Sequence, residues 1–281
     1  MAEEMDFEQA LAMEAAGAAA GLNPMFGEWK YTFRFPPVPY GNREAQRGQF
    51  REMVQKAITT DWLFSAEIHL DIVLYLDVQT TLETDETADL DNYAKSILDG
   101  LKGPAGIMID DSQVQALSIS WMDGYLDPYF VISARGSPDD FVLKPQAFYE
   151  MPDGLWYPHG RRVWDDGKAI ELSDRDHFAG LTVIELMSST KKRARAEMRK
   201  AGADRLRAYQ RSKYVSTSAR GFHRSRLEAG FTLHPLKQWQ KARDDWDQAN
   251  PESSLSRIIS GLRAPHNAVI DLLAGRLPKR D

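Results

Sequence analysis

The chain has 281 residues, 43% hydrophobic and 27% charged, which suffices for one large domain or two moderate ones with real cores. It contains no cysteine, which excludes disulfides, thiolate zinc sites and a cysteine nucleophile and agrees with a reducing compartment. The net charge of −6 conceals an uneven split: residues 1–140 hold nine Lys and Arg against 24 Asp and Glu, whereas residues 141–281 hold 26 against 17. One half therefore concentrates carboxylates and the other is built to meet an anion or an acidic partner.

The first 26 residues are alanine-rich but carry acids where an export signal would carry Lys or Arg, and they read as a flexible or helical extension. No run approaches the roughly 18 apolar residues of a membrane span. Residues 28–35 alternate, with Trp29, Tyr31, Phe33 and Phe35 on one face of a strand that Pro36 and Pro37 end. Residues 44–59 switch to helical spacing through Phe50, Met53, Val54, Ala57 and Ile58. From 66 to 78 every even position is apolar (Ile68, Leu70, Ile72, Leu74, Leu76, Val78), which predicts a half-buried strand. An acidic loop follows, and then a helix over 89–101 with Asp89 as its N-cap, Gly100 or Gly103 as its stop, and Asp91, Lys95 and Asp99 along one face. Two strands, 113–122 and 128–135, are expected to form a hairpin through Asp123-Gly124. Residues 27–136 thus read β-α-β-α-β-β, an α+β domain, with a linker near Gly136-Ser137-Pro138.

Residues 137–281 read as a mixed, largely helical basic region. Short β segments with aromatic punctuation and a turn at Asp166-Gly167 are expected over 141–187, and helices over 188–214, 232–247 and 253–275. Between Lys191 and Arg226 stand 13 basic residues against Glu197 and Asp204 alone. Lys191, Lys192, Arg193, Arg195, Arg199, Lys200, Arg205 and Arg207 are candidate phosphate contacts, and Tyr209, Tyr214 and Phe222 candidate stacking partners for bases. A solvated helix or a partner-binding tail would show the same composition. The six histidines, at 69, 159, 177, 223, 234 and 266, show no metal-ligand spacing and suit structural roles.

Asp-Leu-Asp at a helix start is by itself a capping pattern, and Lys95 by itself half of an i,i+4 pair. Together with Asp110 and Asp111 the residues are more informative. The helix climbs about 18 Å at about 1.5 Å per residue, and residues 102–110 can return up to about 30 Å if extended. Asp89, Asp91, Asp110 and Asp111 can then surround one hard cation such as Mg²⁺, with Mn²⁺ as substitute, and Lys95 can stabilise charge on a phosphodiester.

The string from Asp89 to Gln113 resembles the signature of the RusA family of Holliday junction resolvases, D-x-D-N-x-x-K followed by D-x-L and D-D-x-Q-[VI]. Asp89, Asp91, Asn92, Lys95, Asp99, Asp111 and Gln113 fall on it, and the similarity covers about residues 27–135. The resemblance implies a cytoplasmic metal-dependent endonuclease of bacterial or phage-infected cells that acts as a homodimer on branched DNA in recombination or repair. It implies Asp89, Asp91 and Asp111 as the essential carboxylates and Lys95 as the essential cation. A flap or fork endonuclease of the same fold, and a DNA-binding or assembly protein on an inactive nuclease scaffold, are the alternative readings. Ala88 stands where the family often has a basic residue, and residues 141–281 have no counterpart in it.

Overall fold

The computed structural model describes residues 27–84, 88–124, 127–137, 140–165, 168–213, 215 and 219–253. The chain divides into two compact units, Met1–Pro145 with Arg226–Gly230, and Gln146–Ser225 with Phe231–Asp281.

The first unit contains β1 (Glu28–Phe33), α1 (Glu44–Ala57), β2 (Trp62–Phe64), β3 (Ile68–Leu76), α2 (Val78–Glu83), α3 (Leu90–Leu101), β4 (Val114–Asp123), β5 (Tyr129–Arg135) and β6 (Phe141–Leu143). Its main sheet has the order β1-β5-β3-β4. The alternation of β3 translates directly into burial, with Ile68, Leu70, Ile72, Leu74 and Leu76 all buried. Phe33 stacks on Phe130 of β5 at 4.6 Å, and Phe35 and Phe50 close around them. Helices α1 and α3 pack closely because Gly100 has no side chain; a Cβ there would lie 2.9 Å from Val54. Gly100 is therefore a packing residue inside α3. The stop is Lys102, followed by Gly103 at φ +91°.

Two expectations for this unit change. The acidic stretch after β3 contains the short helix α2, capped by the Asp77 carboxylate, which accepts from Thr80 N at 2.8 Å. More consequentially, β4 and β5 form no hairpin. β4 pairs parallel to one edge of β3 and β5 antiparallel to the other. Gly124 N donates to Leu76 O at 2.7 Å, so the chain steps across the end of β3 instead of turning back on β4. Alternation identifies a strand without naming its neighbour, and the most apolar strand takes the sheet centre with both edges paired. β4 is left as an edge strand of ten residues, with Leu117 and Met122 exposed and Ile119 and Trp121 half-buried. Beyond Gly136 the unit continues into β6, which pairs antiparallel with β2.

The second unit contains β7 (Ala147–Glu150), β8 (Trp156–Pro158), β9 (Arg162–Asp165), β10 (Lys168–Glu171), α4 (Asp174–Lys200), α5 (Arg205–Ser212), β11 (Thr232–His234) and α6 (Leu236–Ala249). The β segments end at Glu171, not near 187, because Ser173 caps α4 through Asp176 N while Asp174 and Asp176 oppose the helix dipole. The β-branched run Thr182-Val183-Ile184 suggests strand, but tertiary burial of Phe178, Leu181 and Ile184 holds it helical. Residues 232–234 likewise pair parallel with β7, and α6 begins only at Leu236. The expected helix over 253–275 and the turn at Asp166-Gly167 lie outside the described residues, although Asp165 pairs with Lys168. The core gathers Tyr149, Met151, Tyr157, Phe178, Leu181, Ile184 and Trp239.

Three histidines surround Tyr149. His234 stacks on it at 4.5 Å, the Tyr149 hydroxyl lies 3.1 Å from His177 Nε2, and His159 stacks on His177 at 4.8 Å. Burial pushes His159 down to about 4, and burial plus the neighbouring His159 pushes His177 down to about 3. Both rings are neutral in the folded protein, so below their ordinary value the unfolded chain binds more protons. Stability from this cluster is complete above about pH 6.5 and declines as pH falls towards the folded values. For His159 the loss at pH 4 is about 3 kcal/mol. The expected NMR result is two imidazoles whose ring-proton shifts stay constant from pH 7.5 to about 5; titration of His159 or His177 near 6.5 would contradict it.

Candidate active site

Helix α3 carries the acidic signature at one end. Asp89 is its N-cap residue, but the side chain makes no capping hydrogen bond, and Asp91 stands exposed in the first turn. Among the described residues neither carboxylate has a hydrogen-bond or ion-pair partner. They are not engaged in the capping role that would explain them structurally.

One turn along, Lys95 forms no ion pair with Asp91 or Asp99 among the described residues. Its ammonium sits 3.5 Å from the centre of the Tyr40 ring, and the Arg47 guanidinium lies over the same ring at 4.3 Å. Hydrogen bonds from Arg47 and then Lys95, with their charges, lower the Tyr40 phenol below its ordinary value. Tyr40 is held at the helix start by its own N–H, which donates to Asn92 O at 3.0 Å. Tyr40 and Arg47 were missed in the sequence because nothing in PPVPYGN or in α1 announces that they meet Lys95.

Asp110 and Asp111 belong to the other end of α3. Ile107 N and Met108 N both donate to Leu101 O, at 2.8 and 3.2 Å, so the chain leaving the helix folds straight back on its C-terminus. Lys102 bonds Asp99 at 2.7 Å and lies 3.5 Å from Asp111 and 3.8 Å from Glu228. Burial opposes its charge, but Asp99, Asp111 and Glu228 outweigh that and raise the Lys102 pKa. Asp110 is buried and accepts from Ser112 N at 3.0 Å. Gln113, fully buried, clamps the turn: its Oε1 accepts from Ile109 N and Asp110 N at 2.7 and 3.0 Å, and its Nε2 donates to Phe64 O and Ala66 O at 2.9 and 2.8 Å.

The structure therefore keeps Asp89 and Asp91 apart from Asp110 and Asp111. A crossover must carry the chain from the end of β3 to the start of parallel β4, so the two pairs lie at opposite ends of a helix about 18 Å long. Among the described residues no three acidic or histidine side chains form a group able to hold a metal. The four-carboxylate cluster expected around one cation is not assembled within the chain. The Asp89/Asp91 pair alone does fit the way Mg²⁺ is commonly bound, by one or two carboxylates with waters and substrate phosphates completing the octahedron.

The basic candidates lie on α4 and α5. Lys192, Arg193, Arg199, Lys200, Arg205 and Arg207 are exposed. Lys200 pairs with Glu197 at 2.9 Å, and Lys192 donates to Pro152 O at 2.7 Å. Lys191 and Arg195 are half-buried: Lys191 lies over Tyr157, and Arg195 bonds Ser212 at 2.8 Å and covers Tyr209. Tyr209 is exposed, whereas Phe222 is buried against Phe148, which in turn packs on Phe231, and cannot meet a base; Tyr214 lies outside the described residues.

A mixed four-stranded sheet with a β3–α3–β4 crossover, bearing carboxylates and cations at both ends of the crossover helix, defines an acidic α+β unit. Residues 23–131 match the model of the endodeoxyribonuclease RusA family, a likeness that spans most of this unit and none of the second. No curated protein matches the chain.

Proposed function

We propose that the chain is a structure-selective endodeoxyribonuclease that requires Mg²⁺ or Mn²⁺ and hydrolyses phosphodiesters in branched DNA, four-way junctions first, during recombination or repair in the cytoplasm. The carrying observation is the unengaged Asp89/Asp91 pair one helical turn from a cation, within the segment that matches the endodeoxyribonuclease family. When bound, a divalent cation supplies charge neutralisation and a water of lowered pKa. Asp89 and Asp91 would hold it. Lys95, steadied on Tyr40, offers positive charge to a phosphate oxygen.

Two copies reconcile the separated carboxylates. The β4 edge is long, has no partner strand on one side among the described residues, and is apolar at Leu117, Ile119, Trp121 and Met122, which invites pairing with a second strand. Antiparallel pairing of two such edges about a two-fold axis carries the Asp110/Asp111 end of one copy towards the Asp89/Asp91 end of the other. The exposed cations of α4 and α5, above all Lys192, Arg193, Arg199, Arg205 and Arg207, serve as phosphate contacts outside the acidic unit.

The test incubates intact protein with four-way, flap and linear duplexes in Mg²⁺, Mn²⁺, Ca²⁺ or EDTA. Cutting of four-way junctions is expected in Mg²⁺ and Mn²⁺, binding with little cutting in Ca²⁺, and none in EDTA. Affinity should fall steeply with salt, by a slope that loses about 0.9 for each phosphate contact removed from α4 or α5. Full activity in EDTA would overturn the mechanism, preferred cutting of flaps would move the substrate, and tight binding without cutting in any metal would favour the inactive scaffold.

A further inference from the structure

The segment Arg226–Gly230, which leaves the basic half of the chain, folds as part of the first unit. Leu227 is buried there, and Glu228 pairs with Arg51 and lies 3.8 Å from Lys102. Gly103 makes the approach possible, since a Cβ at that position would meet the Glu228 carboxylate at 2.5 Å. The segment is thus anchored at the Asp110/Asp111 end of α3, and its first residue reaches the carboxylates. Arg226 Nη1 lies 3.5 Å from Asp110 Oδ1 and 3.9 Å from Asp111 Oδ1.

We propose that Arg226 is a phosphate-positioning residue of the nuclease site, delivered to it by this returning segment; the proposal rests on the nuclease reading above. An arginine whose task is to brace an aspartate makes short, usually bidentate bonds of about 2.7–2.9 Å. Arg226 instead sets one nitrogen loosely between two carboxylates and leaves 53% of its side chain exposed. Asp110 does not need it, being already fixed by Ser112 N and by the Gln113 clamp. Asp111 already has Lys102 nearby. Among the described residues the guanidinium has no further partner, and it offers exposed N–H donors beside carboxylates that would otherwise repel a phosphodiester. Its planar fork suits two oxygens of one phosphate, which an ammonium cannot engage in the same way. The placement also explains how so acidic a unit accepts DNA at its carboxylates at all.

The test uses full-length protein with Arg226→Ala, Arg226→Lys and, as marker of the nuclease reading, Asp91→Asn. Arg226→Ala should lower kcat/KM on four-way junctions about 100-fold and reduce the salt slope by about one, with an unchanged melting temperature. Arg226→Lys should restore the salt slope but only part of the rate. If Arg226→Ala cuts and binds like wild type while Asp91→Asn is inactive, the proposal fails and the nuclease reading stands. If Arg226→Ala cuts faster than wild type, the arginine blocks the carboxylates and the proposal is overturned. If Asp91→Asn cuts at full rate, the nuclease reading itself falls, and the proposal with it.

Discussion

Protein carrying Asp91→Asn is expected to fold, to bind a four-way junction as tightly as wild type or more so, and to cut it slower by two or more orders of magnitude, on the order of a lost transition-state charge interaction. Asparagine keeps the side-chain shape and remains compatible with a first helical turn, so the stability change is a few tenths of a kcal/mol, roughly the value of one charge on the helix dipole. One negative charge fewer faces the phosphates. Asp71→Asn is the control, because Asp71 carries the same charge in an exposed pair with Arg135 at 3.1 Å and lies on β3 away from both carboxylate pairs. Equal losses in the two variants would mean that overall acidity matters and the Asp89/Asp91 assignment is wrong. The same variant also tests the dimer. Co-expressed Asp91→Asn and Asp111→Asn chains leave one intact site per heterodimer if the sites are shared, and none if each lies within one chain. Recovered single-strand nicking without paired cutting is the expected result; an inactive heterodimer would place each site within one chain.

Gln113→Leu is the substitution expected to cost most stability. The side chain is fully buried and satisfies two backbone N–H groups and two backbone carbonyls at once. Leucine fills similar space but leaves all four without a partner. At about 1 kcal/mol or more for each of the three fully buried ones, Ile109 N, Asp110 N and Phe64 O, the loss is at least about 3 kcal/mol, a large share of the roughly 5–15 kcal/mol that holds a domain folded. Denaturant titration should show a clearly lowered midpoint. Cutting should fall as well, because the clamp fixes the turn that carries Asp110 and Asp111. A midpoint equal to wild type would show that water or rearrangement satisfies those groups. The glutamine of the D-D-x-Q string is thus read as a positioning residue, although the sequence alone offers no way to distinguish it from one that meets substrate.

What the sequence determined by itself is the local part. The alternation of Ile68 to Leu76 specifies a half-buried strand because strand side chains alternate faces wherever the strand lies. The start of α3 was legible because acids are favoured in a first helical turn by the helix dipole, although Asp89 makes no capping hydrogen bond, and the aspartates and lysine stand out because their spacing is short. The α+β class followed from the succession of such elements. Tertiary structure alone decided which strands are neighbours. The Asp123-Gly124 pair has turn chemistry, yet β3 claims both β4 and β5, because pairing the most apolar strand on both edges buries more than a local hairpin would. The same crossover sends Asp110 and Asp111 to the opposite end of α3 from Asp89 and Asp91, a separation that chain reach permits but does not dictate. It also brings in Tyr40, Arg47, Lys102, Arg226 and Glu228, whose roles depend on contacts between residues far apart in the chain. Short-range preferences are written in neighbouring residues; convergence of distant ones is set by how the sheet and helices bury their apolar faces, and only the folded chain shows where that leaves the charges.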